Sequence, residues 1–302
     1  QGEGRYVSIR GLSSDLNTVA INGATVTAPE GDRSVMLDGV PTELLDSIVI
    51  SKSLTPDQDA DSIGGRVEFN TKNPSSLNKT LFKMKFDTSY NENSKSSDNP
   101  KIALTYGDKI SETSAHVIGI TYSSKQIVSY NNETGYGWET NSAGLKEMND
   151  DWEMRYYDLT RERYGLTYDI DFLVSDETTL YVKAFWNEYV DDELRWKDEY
   201  GKITQTGTTT DTLMETSRIR HDAESRVREE TRTIQAINFG GDTIIGEWDT
   251  SFQISHSYAE QDDTDNADVT FRCYLRAGKD EGCTNLKNLD KNTPLGQYDF
   301  SN

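Results

Sequence analysis

The 302-residue chain contains no run of 18 consecutive apolar residues, and its mean hydropathy is −0.74. A transmembrane helix, which needs about 20 mostly apolar residues in series, is thereby excluded. Transmembrane β-strands are not, because their alternating sequence and polar loops keep mean hydropathy low. Basic residues are scarce: 31 Lys and Arg stand against 52 Asp and Glu, for a net charge of −21. A nucleic-acid-binding face needs a basic patch, so no nucleic-acid partner is expected. The acidity fits either a solvated soluble surface or acidic loops around an acidic lumen. The three histidines, His116, His221 and His256, stand at no metal-ligand spacing. No nucleophile elbow, phosphate loop or zinc signature occurs, so neither catalysis, a cofactor nor a metal is expected. Asp57, Asp59 and Asp61, followed by Glu68, imitate a calcium loop, but Ser62 stands where that loop needs glycine. A solvated acidic turn is the expectation there. Cysteine is nearly absent. Cys273 and Cys283 lie ten residues apart in a polar segment. In an exported protein that spacing suits a local disulfide; otherwise the two are free thiols. The first residues, Gln1 to Arg5, lack a charged region followed by an apolar core, so any export signal is expected to lie outside this chain.

What is present changes character near residue 75. Residues 1–74 hold short β-like runs divided by Gly, Pro and Asp: Val7–Arg10, Thr18–Ile21 with an Asn22-Gly23 turn, Val35–Leu37, Ile48–Ile50 and Val67–Thr71. Pro41–Asp46 reads as a short helix with proline near its start. This is the expectation for a small α+β unit. From about residue 80, long segments alternate with period two. Phe82, Met84 and Phe86 oppose Lys83, Lys85 and Asp87, and Ile102, Leu104 and Tyr106 repeat the pattern, as do Ile118, Ile120 and Tyr122. Tyr164 to Phe172, Leu180 to Trp186 and Trp248 to Tyr258 follow the same rule, whereas 226–239 is weakest, with only Ile237 and Phe239 clear. Short connections at 107–112, 173–177 and 240–246 alternate with long polar ones, expected over 91–100, 128–155, 191–225 and 262–302. Outer-membrane barrels show that asymmetry between tight turns at one rim and long loops at the other. Tyr90, Tyr122, Tyr130, Tyr164, Trp186, Tyr189, Trp248 and Tyr258 sit near strand ends, where an interfacial girdle would place them. About seven strands are expected, too few to close around a plug, and an open edge in lipid is forbidden. A larger parent protein is the expectation.

Several short motifs resemble the plug of TonB-dependent outer-membrane receptors. Gly4-Arg5-Tyr6-Val7-Ser8-Ile9-Arg10-Gly11-Leu12 resembles its Arg-Gly motif, Asn17 to Gly23 the strand that follows, Pro29 to Arg33 with Leu37-Asp38 the next loop and strand, Leu44 to Lys52 the segment that usually reads IEV-K or IEV-R, and Thr55 to Lys72 its closing segment, with Ile63-Gly64-Gly65-Arg66-Val67 as the turn into the last strand. The resemblance covers residues 1–74 by motif and 80–302 by pattern alone. It implies a mixed fold, with the C-terminal part of a plug over 1–74 and the N-terminal part of an antiparallel transmembrane β-barrel over 75–302, out of about 22 strands. It implies energised import rather than an enzyme. The partners it implies are outer-membrane lipid, a small-molecule ligand such as a ferric siderophore or an oligosaccharide, and the TonB complex through a segment absent from this chain. Arg10 and Gly11, with Gly64 and Gly65, are the plug-motif residues. Arg10 is expected to bridge to barrel carboxylates, or else to form an ordinary surface pair, and the two glycines to adopt positive φ. Pro29, Glu30, Gly31, Asp32 and Arg33 are expected either as a ligand-facing loop or as a structural turn. The competing reading is a secreted β-rich glycan-binding module or adhesin.

Overall fold

The computed structural model describes residues 4–30, 33–56, 58, 61–135, 138–148, 151–205, 216–276 and 279–281. Its contacts group the chain into two compact units, residues 1–126 with 160–191 and 229–264, and residues 127–159 with 192–228 and 265–302.

The first unit contains a four-stranded sheet of β1 (Asn17–Ile21), β2 (Ala24–Val26), β3 (Leu45–Ser51) and β4 (Gly65–Thr71), in the order β2-β1-β4-β3. Asn22 (φ 51°) and Gly23 (φ 88°) make the two-residue β1–β2 turn. Positive φ at both positions matches the right-handed twist of a hairpin, which is why Asn-Gly recurs there. β1 runs parallel to β4, and β3 runs antiparallel to it. In place of a helix over 41–46 there is a 3₁₀ turn, Thr42–Leu44, running straight into β3. Ile48, Val49 and Ile50 follow too closely for a helix to propagate, since β-branched side chains favour the extended backbone. The short runs at Val7–Arg10 and Val35–Leu37 are not strands either. Ile9 and Val35 are buried, but their backbones follow turns, with Leu12 N–H donating to Ile9 O at 3.1 Å and Leu37 N–H to Arg5 O at 2.8 Å.

Eight further strands form one sheet in the order β14-β13-β12-β11-β10-β7-β6-β5, and a separate two-stranded ladder pairs β8 (Trp138–Thr140) with β9 (Lys146–Met148). The eight are β5 (Leu81–Thr88), β6 (Pro100–Ser111), β7 (Ser114–Thr134), β10 (Trp152–Ser175), β11 (Thr178–Gln205), β12 (Thr216–Ile245), β13 (Trp248–Arg276) and β14 (Lys279–Glu281). The register aligns rows of apolar side chains across strands: Phe82–Tyr106–Ile118, Met84–Leu104–Ile120 and Phe86–Ile102–Tyr122. Phe82, Met84 and Phe86 are largely exposed, as are Ile237, Phe239, Trp248 and Ile254. The opposite face carries the buried core of the first unit, where Phe185, Ile234 and Ala236 meet Val19, Ile21, Leu44, Val67 and Phe69. Each large apolar side chain buried there contributes roughly 1.5–3 kcal/mol against exposure. The fold is therefore a mostly antiparallel β protein, with a small domain against one face of barrel-type strands.

Of the long polar connections, 91–100 lies between β5 and β6 as expected, whereas those over 128–155, 191–225 and 262–302 are shortened because much of them is strand. β7 continues to Thr134, β11 to Gln205 and β13 to Arg276, while β10 begins at Trp152 and β12 at Thr216. A strand of 24 to 30 residues, as β10 to β13 are, far exceeds the 9–11 that cross a bilayer. Where neither face needs to be apolar, period two vanishes from the sequence.

Within the second unit, aromatic rings line up across three strands. Tyr130 and Tyr156 have centroids 5.0 Å apart, and Tyr156 stacks on Trp196 at 5.2 Å. Charged side chains there form a ladder of alternating sign: Arg155 with Glu153 and Glu133, Lys197 with Glu199 at 2.9 Å and Glu224 at 3.3 Å, Arg195 with Glu224, and Arg226 with Asp268 at 2.7 Å. Carboxylate oxygens of Asp151, Glu153 and Glu199 lie within 4.8 Å of one another. Lys197, Arg155 and Arg220 already pair with that group.

Candidate functional site

The most heavily charged place in the first unit is where the small sheet meets the long strands, around Asp38 and Arg232. Asp38 lies in the 3₁₀ turn Leu37–Gly39, and its side chain is 2% exposed. Arg232, on β12, is 5% exposed. Its guanidinium donates to Glu30 Oε1 at 3.0 Å, Met36 Sδ at 2.8 Å and Asp38 Oδ1 at 3.4 Å, and pairs with Glu230 at 2.9 Å. It also lies over the ring of Tyr189, 3.9 Å from the centroid. Arg5 pairs with the other Asp38 oxygen at 3.2 Å, and Arg163 donates to the Asp38 carbonyl at 2.7 Å. Fully buried Arg161 pairs with Asp191 at 3.4 Å, and Tyr189 O–H donates to the same carboxylate at 3.3 Å. Two arginines thus share one buried carboxylate, and the tyrosine face lends the third side of the cage. Such an arrangement fixes position. It contains no nucleophile poised beside a base.

A second contact lies at Glu43. Lys101 approaches it at 2.6 Å and Lys85 at 3.5 Å. Beside it a cleft of about 440 Å³ is lined by Leu37, Pro41 and Glu43 on one side and by Lys101, Ser123 and Arg163 on the other. At the far edge of the small sheet, Gln253 of β13 donates to the Asn22 carbonyl at 3.1 Å and to Asn238 Oδ1 at 3.3 Å, and Ser257 donates to the Thr25 carbonyl at 2.9 Å. Asp171 accepts from Ser75 N–H at 2.9 Å and Ser75 O–H at 2.5 Å.

Glu30 and Glu43 respond oppositely to these surroundings. Burial pushes Glu30 above the ordinary 4.5, and its own backbone bond and Arg232 only partly offset that. Burial acts on Glu43 in the same direction, but the hydrogen bond from Lys101, a backbone bond and the two lysine charges outweigh it, so its pKa falls below 4.5. A carboxyl with a depressed folded pKa stabilises above its unfolded pKa, and that contribution is lost as pH falls through the folded value. Glu43 therefore loses its hold below about pH 4.5, whereas protonating Glu30 relieves a cost. Seating of the small sheet is expected to weaken on acidification below that pH. Glu43→Gln should flatten the acid limb of a pH titration followed by a fluorophore on this sheet; an unchanged acid limb would contradict the assignment.

The residues singled out in the sequence are placed differently from one another. Arg10 (φ 57°) and Gly11 (φ 74°) form a tight turn, and the Arg10 side chain is exposed, donating to Ser53 Oγ at 2.8 Å. It does not reach the long strands. The bridging expected of Arg10 is carried by Arg5, 4.0 Å from Asp191 of β11, and by Arg232 of β12 on Glu30 and Asp38, because the turn at 10–11 aims Arg10 outward. Of the two glycines, Gly65 has positive φ (153°), and a Cβ there would meet the Ser51 carbonyl at 2.6 Å. Gly64 serves space instead: its Cβ would stand 2.2 Å from Asn17 Oδ1. In the Pro29–Arg33 segment, Glu30 is held by Arg232, and exposed Arg33 donates to the Asp61 carbonyl at 2.8 Å. Gly31, Asp32, Asp57, Asp59 and Cys283 lie outside the described residues. Sequence reasoning missed Asp38, Glu43, Tyr189 and Arg232 as site residues.

One face of the sheet is apolar, and a small domain is seated on the other by buried ion pairs. Residues 1–66 match the family described as the TonB-dependent Receptor Plug Domain. No curated protein matches it. Among solved structures it is similar to the outer membrane transporter YddB from Escherichia coli (11% identity, TM-score 0.30, 88% of this chain and 52% of that one). It is likewise similar to the ferric citrate transporter FecA (11%, TM-score 0.33, 88% and 52%) and to the siderophore receptor PiuA from Acinetobacter baumannii (9%, TM-score 0.34, 90% and 56%). The chain spans about half the length of these structures.

Proposed function

We propose that the chain is the plug and part of the wall of a receptor in the Gram-negative outer membrane. The receptor imports a scarce small-molecule ligand, either a ferric siderophore or an oligosaccharide, and it is not an enzyme. Energy comes from the TonB complex, acting through a segment outside this chain. The plug comprises residues 1–74 and the wall 75–302. The observation that carries this reading is the buried cage of Arg5, Arg232 and Asp38, which seats the plug on the polar face of a sheet whose other face is apolar. An importer needs a closure that is firmly held yet releasable, and ion pairs between separate elements supply discrete, breakable contacts. Pro29–Arg33 is the ligand-facing loop, with Glu30 and Arg33 each tethered at its base. Cys273 and Cys283 form a cystine that closes a local loop.

The alternative, a secreted glycan-binding module, is disfavoured by the exposed rows of Phe, Met and Ile on β5 to β7, an apolar surface that a soluble monomer rarely leaves bare. The full-length gene product, extracted from outer membranes in mild detergent, is expected to migrate faster before heating than after. A soluble product without that shift would sink the receptor reading.

A further inference from the structure

We infer that Gly119 on β7 and Gly165 on β10 form a receptacle for Leu44 and act as positioning residues that hold the plug against the wall. The inference rests on the receptor reading above. Glycine inside a strand weakens it and marks a place where something must come close. Here the close object is one side chain. A Cβ on Gly119 would stand 2.8 Å from Leu44 Cδ2, and a Cβ on Gly165 would stand 2.8 Å from Leu44 Cδ1 and 2.8 Å from Pro41 Cγ. Real Cβ contacts essentially never fall under 3.0 Å. Neither glycine has positive φ, so what they supply is space rather than backbone freedom. The floor on either side is closed by threonines, since the same two Cβ atoms would meet Thr167 Oγ1 at 2.7 Å and Thr121 Oγ1 at 2.6 Å. Leu44 itself is 3% exposed.

The two methyl groups of a single leucine are thus received by two glycines on two strands. The neighbouring turn is tied to the flanking strands β11 and β6, through Asn187 Nδ2 donating to the Gly39 carbonyl at 3.1 Å and the Glu43 side chain pairing with Lys101 at 2.6 Å. The charged cage around Asp38 and this apolar receptacle are complementary in kind. Charge pairing gives way when a partner is neutralised. A steric fit does not depend on protonation, so it holds the Pro41–Leu44 turn in place when the ion pairs open.

The test uses the full-length receptor in the outer membrane, with Gly165→Val, Leu44→Ala and the two combined. Heat-modifiable mobility reports wall assembly, and vancomycin, a large hydrophilic probe, reports plug seating. Gly165→Val is expected to assemble and to raise vancomycin sensitivity on the order of tenfold, the scale of overpacking a filled site. Adding Leu44→Ala to Gly165→Val should return part of that sensitivity, because trimming the leucine relieves one of the three close contacts while those to Pro41 Cγ and Thr121 Oγ1 remain. A general folding role for Gly165 would not be rescued in this way. An assembled Gly165→Val receptor with unchanged exclusion, or a double variant as leaky as Gly165→Val, would overturn the inference. If Gly165→Val fails to assemble, Leu44→Ala alone decides: it only removes atoms and should raise sensitivity, and no rise would overturn the inference. Absence of the heat shift in the unsubstituted protein would count against the receptor reading and not against the receptacle.

Discussion

Arg232→Met is expected to destabilise the seated plug by about 3–5 kcal/mol, the cost of breaking a buried ion pair from one side. The size follows from what the substitution leaves behind. Glu30, Glu230 and Asp38 all point at the Arg232 guanidinium, and their side chains are 13%, 9% and 2% exposed. Methionine fills part of the volume and can still lie against Tyr189, so the loss comes chiefly from stranded negative charge rather than from a cavity. Arg5 continues to reach Asp38 at 3.2 Å and limits the damage at that carboxylate. Glu30 loses its Arg232 partner and should protonate readily, since burial already raises its pKa. The variant is therefore expected to regain stability as pH is lowered through the raised Glu30 pKa, in contrast to Glu43→Gln, which alters only the limb below 4.5. Combining Arg232→Met with Asp38→Asn and Glu30→Gln should cost less than Arg232→Met alone, because removing both sides of a buried pair is far cheaper than removing one. Urea titration of the full-length receptor in detergent, followed by a fluorophore on the plug, measures each case. A loss under about 1 kcal/mol for Arg232→Met would reduce the cage to the worth of a surface pair.

That cage was not legible in the sequence, and the reason is physical. Arg232 lies 194 residues from Asp38 and 202 from Glu30, so no local pattern links them. Its strand also hides itself. On β12 the side toward the plug carries Glu230, Arg232, Ile234, Ala236 and Asn238, all buried, while the other side begins with Thr231, Thr233 and Gln235 before turning apolar at Ile237 and Phe239. A face that must match a plug is mixed rather than uniformly polar, and period two dissolves. The same logic accounts for the strand extensions read as loops. Elsewhere the signals were strong because one physical demand dominated: period-two alternation along β5 to β7, and positive φ at Asn22-Gly23 and Gly65. Arg10 stayed between two readings, because a guanidinium beside glycine says that a turn is present but not which way its side chain leaves it. Gly119 and Gly165 were passed over for the opposite reason, since a strand glycine announces close approach without naming what approaches.

Ile120→Arg separates the two functional readings by size as well as by outcome. Ile120 sits in the cross-strand row Met84–Leu104–Ile120 and is 46% exposed, so the substitution disturbs little of the packed interior. If that face meets lipid, an arginine near the middle of the apolar band costs about 2–4 kcal/mol, falling to about 0–1 towards either edge. If the face meets water, the same change lies on an exposed surface and should stay within about ±0.5 kcal/mol, with solubility improved. Ile120→Ser removes the same apolar contact without adding charge, and it isolates the electrostatic part. Folding the full-length protein into lipid vesicles across a urea series, and scoring the heat-modifiable fraction, gives the comparison directly. A large cost for arginine with a small one for serine places this face in hydrocarbon. Equal and negligible costs would place it in water, and the rows of Phe, Met and Ile on β5 to β7 would then have to be covered by another protein surface.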